Sequence, residues 1–116
     1  MQEFDIPIFK KSYDLYKLFH TLRNKAPKLD RYTVIQKCEG YLLDVIEGIL
    51  RASQLPKDRK LPVLEEVNVK LELLKVFLRL LKDIKSLDLK NYALMEESAD
   101  EIGRMLGGWI KSTKDA

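Results

Sequence analysis

The amino-acid sequence predicts an all-α protein, with residues 1–116 forming a single domain folded as an antiparallel up-down-up-down four-helix bundle. Three observations support this fold class. Apolar residues recur at steps of three and four through four segments of the chain. The connections between these segments are short, as in bundles whose neighbouring helices are antiparallel. The chain has only 5 glycines and 4 prolines, too few for the many turns of a β-sandwich.

The first helix is predicted at about residues 7–24. Pro7 suits its first turn because the φ angle of proline is already helical. Pro27 closes it, since the residue before a proline avoids the α-helical region. One face of this helix carries the residues that recur at steps of three and four, which are Ile8, Ser12, Leu15, Phe19 and Leu22.

The second helix is predicted at about residues 31–53, with Asp30 as its N-cap. Its main apolar stripe consists of Ile35, Cys38, Leu42, Val45 and Ile49. Gly40 and Gly48 lie inside the helical pattern, and each costs about 1 kcal/mol of helix propensity. We therefore expect packing against a neighbouring helix to compensate for these glycines.

The third helix is predicted at about residues 62–85, after an exposed loop over residues 54–60, with Pro62 in its first turn. It carries two apolar stripes. One stripe consists of Val67, Leu71, Leu74, Leu78 and Leu81, and the other of Leu73, Val76, Phe77, Leu80 and Ile84. A peripheral helix of a small monomer needs only one apolar stripe. The second stripe therefore predicts burial against another chain.

The fourth helix is predicted at about residues 88–112, with Asp88 as its N-cap. Its apolar stripe consists of Tyr92, Met95, Ala99, Ile102, Leu106 and Trp109. Gly103 and Gly107 lie four residues apart beside this stripe. Because glycine has no side chain, this spacing predicts a flat groove in which another backbone can pack closely.

Few residues of this chain are suited to catalysis or metal binding. His20 is the one histidine and Cys38 the one cysteine, which excludes an internal disulfide and the usual zinc and His-pair motifs. His20 is expected at the surface or its boundary, and Cys38 in the core. The acidic residues of the fourth helix are expected to form a solvated face that complements the helix dipole, with cation binding as the alternative. We expect no enzyme activity, no cofactor and no metal.

The N-terminus lacks the apolar run of a signal peptide, and no stretch approaches the roughly 18 apolar residues of a membrane-spanning helix. We therefore expect a cytoplasmic protein without a membrane partner. The net charge is +3, from 21 Lys and Arg against 18 Asp and Glu. This mild excess is smaller than that of an obligate nucleic-acid-binding protein.

The placement of the basic residues is more informative than their number. Lys75, Arg79 and Lys82 are spaced four and three residues apart, so they share one face of the third helix. Two interpretations remain open. The stripe is either an ordinary solvated face or a small basic patch that an oligomer would repeat around its symmetry axis, where it could attract nucleic acid.

Three segments resemble a known family. Residues 100–111 are similar to the C-terminal signature of the Avd family, the accessory variability proteins of diversity-generating retroelements; the signature has the form EIGR-hydrophobic-LG-small-WI. Residues 68–84 resemble the third helix of that family. Residues 27–34 resemble the FP-K-x-x-RY-x-L motif at the start of its second helix, although Ala26 replaces the usual aromatic residue. This last motif is shared with four-helix bundle proteins encoded in ribosomal RNA intervening sequences.

The resemblance implies a non-catalytic role. Proteins of the Avd type are four-helix bundles that assemble as barrel-shaped homopentamers. They bind the reverse transcriptase of the element and its structured template RNA, and they support the copying of that RNA into adenine-mutagenised cDNA. The alternative is the intervening-sequence family, with the same bundle, a structural or RNA-binding role and no reverse transcriptase partner.

The resemblance also implies site residues. Lys75, Arg79 and Arg104 match basic positions of the family and are candidates for contact with RNA or the polymerase, together with Lys82 and Lys111. For Arg104, an ion pair between subunits with Glu97 or Asp100 is an alternative. The residues expected in helix packing or at an oligomer interface are Phe77, Gly103, Gly107 and Trp109.

Overall fold

The computed structural model of the protein describes residues 6–115. It contains helices α1 (Pro7–Arg23), α2 (Lys28–Arg31), α3 (Val34–Gln54), α4 (Lys57–Asp83) and α5 (Leu89–Lys114). No β-strand occurs among the described residues. The helix α2 is a single short turn, and the four long helices form the bundle. The all-α class predicted from the sequence is confirmed.

The long helices pack as antiparallel neighbours in chain order. The helix α3 contacts α1 and α4, and α5 contacts α4 and α1, so α1 and α4 lie diagonally across the bundle. From Tyr41 to Gly48 along α3, the partner on α4 changes from Phe77 back to Val67. Partner numbers that fall while residue numbers rise indicate an antiparallel pair. The pair α3–α4 is therefore antiparallel, as the predicted up-down-up-down topology requires.

The core consists of one apolar face from each long helix. Its largest fully buried side chains are Leu42, Val45, Ile49, Leu64, Val67, Leu71, Leu74, Leu78, Leu81, Met95, Ile102 and Leu106. Burial of each large aliphatic side chain stabilises the fold by about 1.5–3 kcal/mol relative to exposure. Ser12 is buried among them, and its hydroxyl donates to the Ile8 carbonyl at 2.9 Å, which satisfies the polar group.

The connection between α3 and α4 is shorter than the sequence predicts. An exposed loop over residues 54–60 is wrong, because only Leu55 and Pro56 separate the two helices. The helix α4 begins at Lys57 instead of Pro62, so Pro62 lies inside the helix. Pro62 lacks the amide hydrogen that would bond to the carbonyl one turn earlier, and the first part of α4 is therefore one hydrogen bond short.

Contacts made by Lys60 support this early first turn of α4. Its Nζ donates to the Ala52 carbonyl at the end of α3, at 2.7 Å. The same ammonium group lies 5.7 Å from the ring centroid of Trp109 on α5. These tertiary contacts offset the bond that Pro62 removes, and local sequence signals alone do not contain them.

Asp30 is not the N-cap of the second long helix. It lies inside α2, and α3 begins at Val34 after a break at Tyr32 and Thr33. The Asp30 carboxylate accepts a hydrogen bond from the hydroxyl of Ser86, in the turn between α4 and α5. Because Thr33 occupies the N-cap of α3, three residues after Asp30, the predicted capping role is wrong.

The turn between α4 and α5 is well defined. Lys85 has a left-handed φ of 66°. The amide of Ser86 donates to the Leu81 carbonyl at 2.9 Å, which is a six-to-one bond typical of a helix C-terminus. Asp88 then caps α5, because its Oδ1 accepts from the amide of Asn91 at 2.8 Å. The N-cap predicted for this helix is confirmed.

The two glycines of α3 differ in their surroundings. A Cβ atom on Gly48 would overlap Cγ2 of Val67 on α4, so the two helices are close at this point. At Gly40 the same position is open space within 4 Å. Packing therefore compensates for the poor helix propensity of Gly48, as expected, but not for that of Gly40.

Candidate partner-binding surfaces

A stripe of aliphatic side chains lies on the side of α4 that faces away from the core. This outward stripe consists of Val69, Leu73, Val76, Leu80 and Ile84, the last at the C-cap. Val69 and Val76 are each 50% exposed, Leu80 and Ile84 are also exposed, and Leu73 is half-buried. Single exposed aliphatic residues are normal, whereas a row of them along one face forms an apolar patch. The sequence predicts this patch except for Val69.

Phe77, predicted as part of the same stripe, packs between α3 and α4. Its ring meets the ring of Tyr41 edge to face, with centroids 5.2 Å apart and an angle of 86° between the planes. Such pairs contribute about 0.5–1.5 kcal/mol beyond the buried area. Phe77 is therefore a packing residue of this chain, and only its exposed part is available to a second copy.

Lys75 points towards α5. Its Nζ lies 2.9 Å from Oδ1 of Asp100 and 4.0 Å from Oε1 of Glu72. The hydrogen bond to Asp100 raises the pKa of Lys75, and partial burial offsets part of that increase. Its charge is thus largely matched within the chain, and Lys75 is better suited to holding α5 against α4 than to attracting a phosphate.

The other two residues of the predicted basic stripe differ from each other. Lys82 also points towards α5, with its Nζ 4.7 Å from the ring centroid of Tyr92 and 3.7 Å from Oδ1 of Asp83. Arg79 is exposed and has no ion-pair partner among the described residues. Its charge nevertheless acts on Tyr92 of α5, whose pKa is raised chiefly by the hydrogen bond to Glu96 and is lowered to a smaller extent by Arg79. Of the three cations, Arg79 is thus the one without a carboxylate partner within residues 6–115.

Arg104 and Lys111 lie at the surface of α5. The Arg104 side chain is 70% exposed, and its guanidinium lies 3.6 Å from Oε2 of Glu101, one turn earlier on the same helix. Exposed pairs of this kind contribute little to stability. Lys111 is exposed in the last turn of the helix. Both cations are available to a partner, and an ion pair of Arg104 with Glu97 or Asp100 of another subunit stays a prediction.

The glycines of the C-terminal signature do not lie at a close contact between helices of the described chain. A Cβ atom on Gly103 would lie 3.6 Å from Leu71, which is an ordinary contact, and on Gly107 it would meet nothing within 4 Å. The prediction of close packing at these two positions is therefore wrong for the single bundle. The close approach occurs at Gly48 instead. A contact of Gly103 or Gly107 with another subunit remains a prediction.

Trp109 is half-buried and packs against the core from α5. Its ring also forms one wall of an apolar groove whose other walls include Ile6, Pro7, Ile8, Ser53 and Met105. The ammonium group of Lys60 lies near the ring, as described above for the start of α4. Trp109 is thus an anchor of the bundle end that contains the α3–α4 connection.

Of the two side chains considered for catalysis, Cys38 is buried in α3 and His20 is exposed on α1. Burial raises the pKa of the Cys38 thiol to about 12, so the reactive thiolate is scarce at neutral pH. His20 is exposed and stacks on Tyr16, with ring centroids 6.1 Å apart. Within residues 6–115, no group of three or more His, Cys, Asp and Glu side chains is placed to hold a metal ion.

One surface was missed by the sequence analysis. The α2 end of the bundle consists of residues 24–33, which connect α1 to α3, and residues 84–90, which form the turn before and the start of α5. It exposes Leu29 by 77%, Leu89 by 71% and Tyr32 by 64%, the highest values among the large hydrophobic residues of the described region. No local sequence signal marks these residues, because the same pairing of lysine and leucine occurs at Lys70-Leu71, where the leucine is fully buried.

No helix among the described residues is long and apolar enough to cross a membrane. Comparison with curated proteins and with solved structures finds no significant match. A family model described as bAvd-like matches residues 7–113, which include all four long helices except the last residue of α5. The chain therefore belongs to the bAvd-like family, the bacterial Avd type of accessory protein.

Proposed function

We propose that this protein is the accessory protein of a diversity-generating retroelement, which binds the reverse transcriptase and template RNA of the element in the cytoplasm and supports mutagenic cDNA synthesis. The observation that carries the proposal is the bAvd-like family match over residues 7–113. The C-terminal signature at residues 100–111 lies within this match and resembles the segment that is specific to the Avd type, whereas the motif at residues 27–34 is shared with the intervening-sequence proteins.

The functional form is a homopentameric barrel in which the outward stripe of α4 is covered by a neighbouring copy. The stripe lies opposite to the buried face of α4, so it cannot be covered by the chain's own bundle. In a closed ring, one patch of each subunit contacts a different patch of the next subunit. Within one subunit, α1 lies diagonally across from α4 and therefore on the side opposite to the outward stripe.

The role of the protein is to hold and orient its partners, and the polymerase supplies the chemistry. The high pKa of the buried Cys38 thiol agrees with such a role, since this side chain is no nucleophile at neutral pH. Arg79, Arg104 and Lys111 remain the best placed of the candidate contact residues, because all three are exposed. Lys75 and Lys82 contribute indirectly, by fixing α5 on α4.

The proposal is tested by cDNA synthesis with purified components. The reverse transcriptase encoded beside this chain is incubated with its template RNA, with and without the accessory protein. We expect template-dependent cDNA that carries substitutions at adenines only when the protein is present. Equal cDNA yield and equal adenine substitution in its absence would contradict the proposal and favour the intervening-sequence type of protein.

A further inference from the structure

We propose that the α2 end of the bundle binds an unpaired stretch of RNA, with Tyr32 as the stacking surface for a base and the surrounding lysines as contacts for phosphates. This inference rests on the RNA-binding part of the proposed function and places it on residues other than the basic stripe of α4. Three features support it: the hydrogen bonds that brace the connection, the apolar groups that it exposes and the lysines at the same end of the bundle.

The connection between α1 and α3 is held in one conformation by its own hydrogen bonds. The guanidinium of Arg31 donates to the carbonyls of Asn24 and Ala26, both at 3.0 Å. The hydroxyl of Thr33 donates to the Leu29 carbonyl at 3.0 Å. A segment that is already ordered loses little conformational entropy when it binds a partner.

The same connection is fixed to the rest of the bundle. Ala26 is buried in the core. The carboxylate of Asp30 accepts a hydrogen bond from the hydroxyl of Ser86, so the two connections at this end touch each other. This segment presents two large apolar side chains to solvent beside its lysines. Leu29 and Tyr32 are each more than half exposed, although the hydrogen bonds above hold the backbone on both sides of them.

The charges at the α2 end favour a polyanion. Its residues include five Lys and Arg against two Asp, which are Asp30 and Asp88. Both aspartates are engaged within the chain, by Ser86 and by Asn91. Four exposed lysines, Lys25, Lys28, Lys85 and Lys90, have no ion-pair partner within the described part of the chain. This contrasts with Lys75 and Lys82 of α4, whose charges are matched internally.

The combination of side chains favours RNA over a protein partner. Lysine is depleted in the cores of protein interfaces. By contrast, an exposed aromatic ring among free cations is the arrangement with which proteins bind single-stranded nucleic acid, because every base has a face that can stack. Duplex RNA offers no unstacked base to Tyr32, so the surface should discriminate in favour of unpaired segments.

The test measures the affinity of the intact protein for a fluorescein-labelled, unstructured RNA of about 20 nucleotides, and for the same strand annealed to its complement. We expect Tyr32→Ala to weaken binding of the single strand by at least about fivefold, and Tyr32→Phe to leave it within about twofold, since phenylalanine still stacks. We expect Lys25→Gln with Lys28→Gln to weaken binding and to make its dependence on log salt shallower by about 1.4.

A charge-matched control comes from the opposite end of the bundle. Lys57→Gln with Lys114→Gln removes the same charge from exposed positions and should leave the affinity within about twofold. Equal loss in this control would overturn the proposal, because binding would then follow net charge alone. Unchanged affinity in Tyr32→Ala, or a preference for the duplex, would overturn it as well.

The same variants are scored for co-purification with the reverse transcriptase, which separates this proposal from the proposed function. If Tyr32→Ala still co-purifies and its RNA affinity is unchanged, the inference about the α2 end fails and the accessory role stands. If Tyr32→Ala loses the polymerase but keeps RNA, the surface docks protein and the inference is wrong. If the unmodified protein binds neither partner, both proposals fail. Circular dichroism confirms that each variant is folded.

Discussion

At the residue scale, Gly40 and Gly48 have the same unfavourable helix propensity but different surroundings in the fold. Both lie inside α3, and the sequence assigns each the same loss of helix propensity. In the folded chain, only Gly48 lies where a Cβ atom would overlap a neighbour, Val67 of α4. Which glycine is required could not be read from the sequence, since the answer depends on how closely two helices approach each other.

The two glycines predict opposite effects of alanine. Gly48→Ala should lower the free energy of unfolding by about 1–3 kcal/mol, because Val67 or the helix must shift to make room. Gly40→Ala should raise it by up to about 1 kcal/mol, because the chain loses less entropy on folding and meets no obstacle. Urea unfolding of both variants under identical conditions measures the two changes in the free energy of unfolding. The same sign for both would contradict the helix geometry described here.

Cys38 predicts a fall in stability at alkaline pH. Its pKa is raised from 9.0 to about 12 in the folded protein, chiefly by burial. The unfolded thiol loses its proton above about pH 9 while the folded thiol keeps it, so the stabilising contribution is complete below that pH and is lost as pH rises towards about 12. The expected slope is at most about 1.4 kcal/mol per pH unit.

A Cys38→Ala variant isolates this effect. It should be less stable than the parent at neutral pH because it leaves a small cavity. Its stability should fall less steeply than that of the parent above pH 9. Parallel curves for the two proteins between pH 9 and 11 would show that the thiol does not account for the alkaline loss.

At the element scale, each side of α4 makes a different kind of contact. One side forms the core, the side near α3 carries Phe77 against Tyr41, and the side near α5 carries Lys75 against Asp100. The outward stripe has no partner among residues 6–115. The basic residues that sequence reasoning grouped on one face therefore divide between an internal contact and an exposed position at Arg79.

This division predicts different outcomes for two charge-removing variants of α4. Lys75→Gln should destabilise the protein by about 0.2–1 kcal/mol, because it removes a pair that is partly exposed to solvent. Arg79→Gln should leave stability unchanged within about 0.5 kcal/mol and should weaken partner binding. Thermal unfolding and RNA affinity are measured on both. A stability loss for Arg79→Gln without any loss of binding would show that Arg79 stabilises the fold and does not contact a partner.

The limits of sequence reasoning are clearest at the ends of the helices. The N-cap at Asp88 was predictable because capping is local, and it is present in the structure. The roles of Pro62 and Asp30 were mispredicted because tertiary contacts decide them. Lys60 supports the turn that places Pro62 inside α4, and the hydroxyl of Ser86 donates a hydrogen bond to the carboxylate of Asp30. Periodicity predicted the helices themselves, since their buried faces are long and regular.

At the scale of the whole molecule, the outward stripe predicts association. The chain has a mass of 13.6 kDa. Light scattering should give about 68 kDa, five times that value, if the pentamer forms. Val76→Glu should reduce the mass to that of a single chain, because a carboxylate in the centre of the stripe would be buried unpaired in the assembly. The variant should keep its helical circular dichroism spectrum.

Leu29→Glu is the matched control for assembly. Leu29 is more exposed than Val76 but lies at the α2 end, away from the stripe. This variant should retain the mass of the parent protein. A monomeric parent at micromolar concentration, or the same loss of mass in both variants, would contradict an assembly built on the outward stripe.

The central claim is that this protein is the binding partner of a retroelement reverse transcriptase. The most direct measurement is co-purification of the tagged protein with the reverse transcriptase encoded beside it, with and without template RNA, at low and moderate salt. The accessory role predicts a stoichiometric complex that survives moderate salt. Absence of a complex under all four conditions would contradict the claim and leave a four-helix bundle of the intervening-sequence type as the better description.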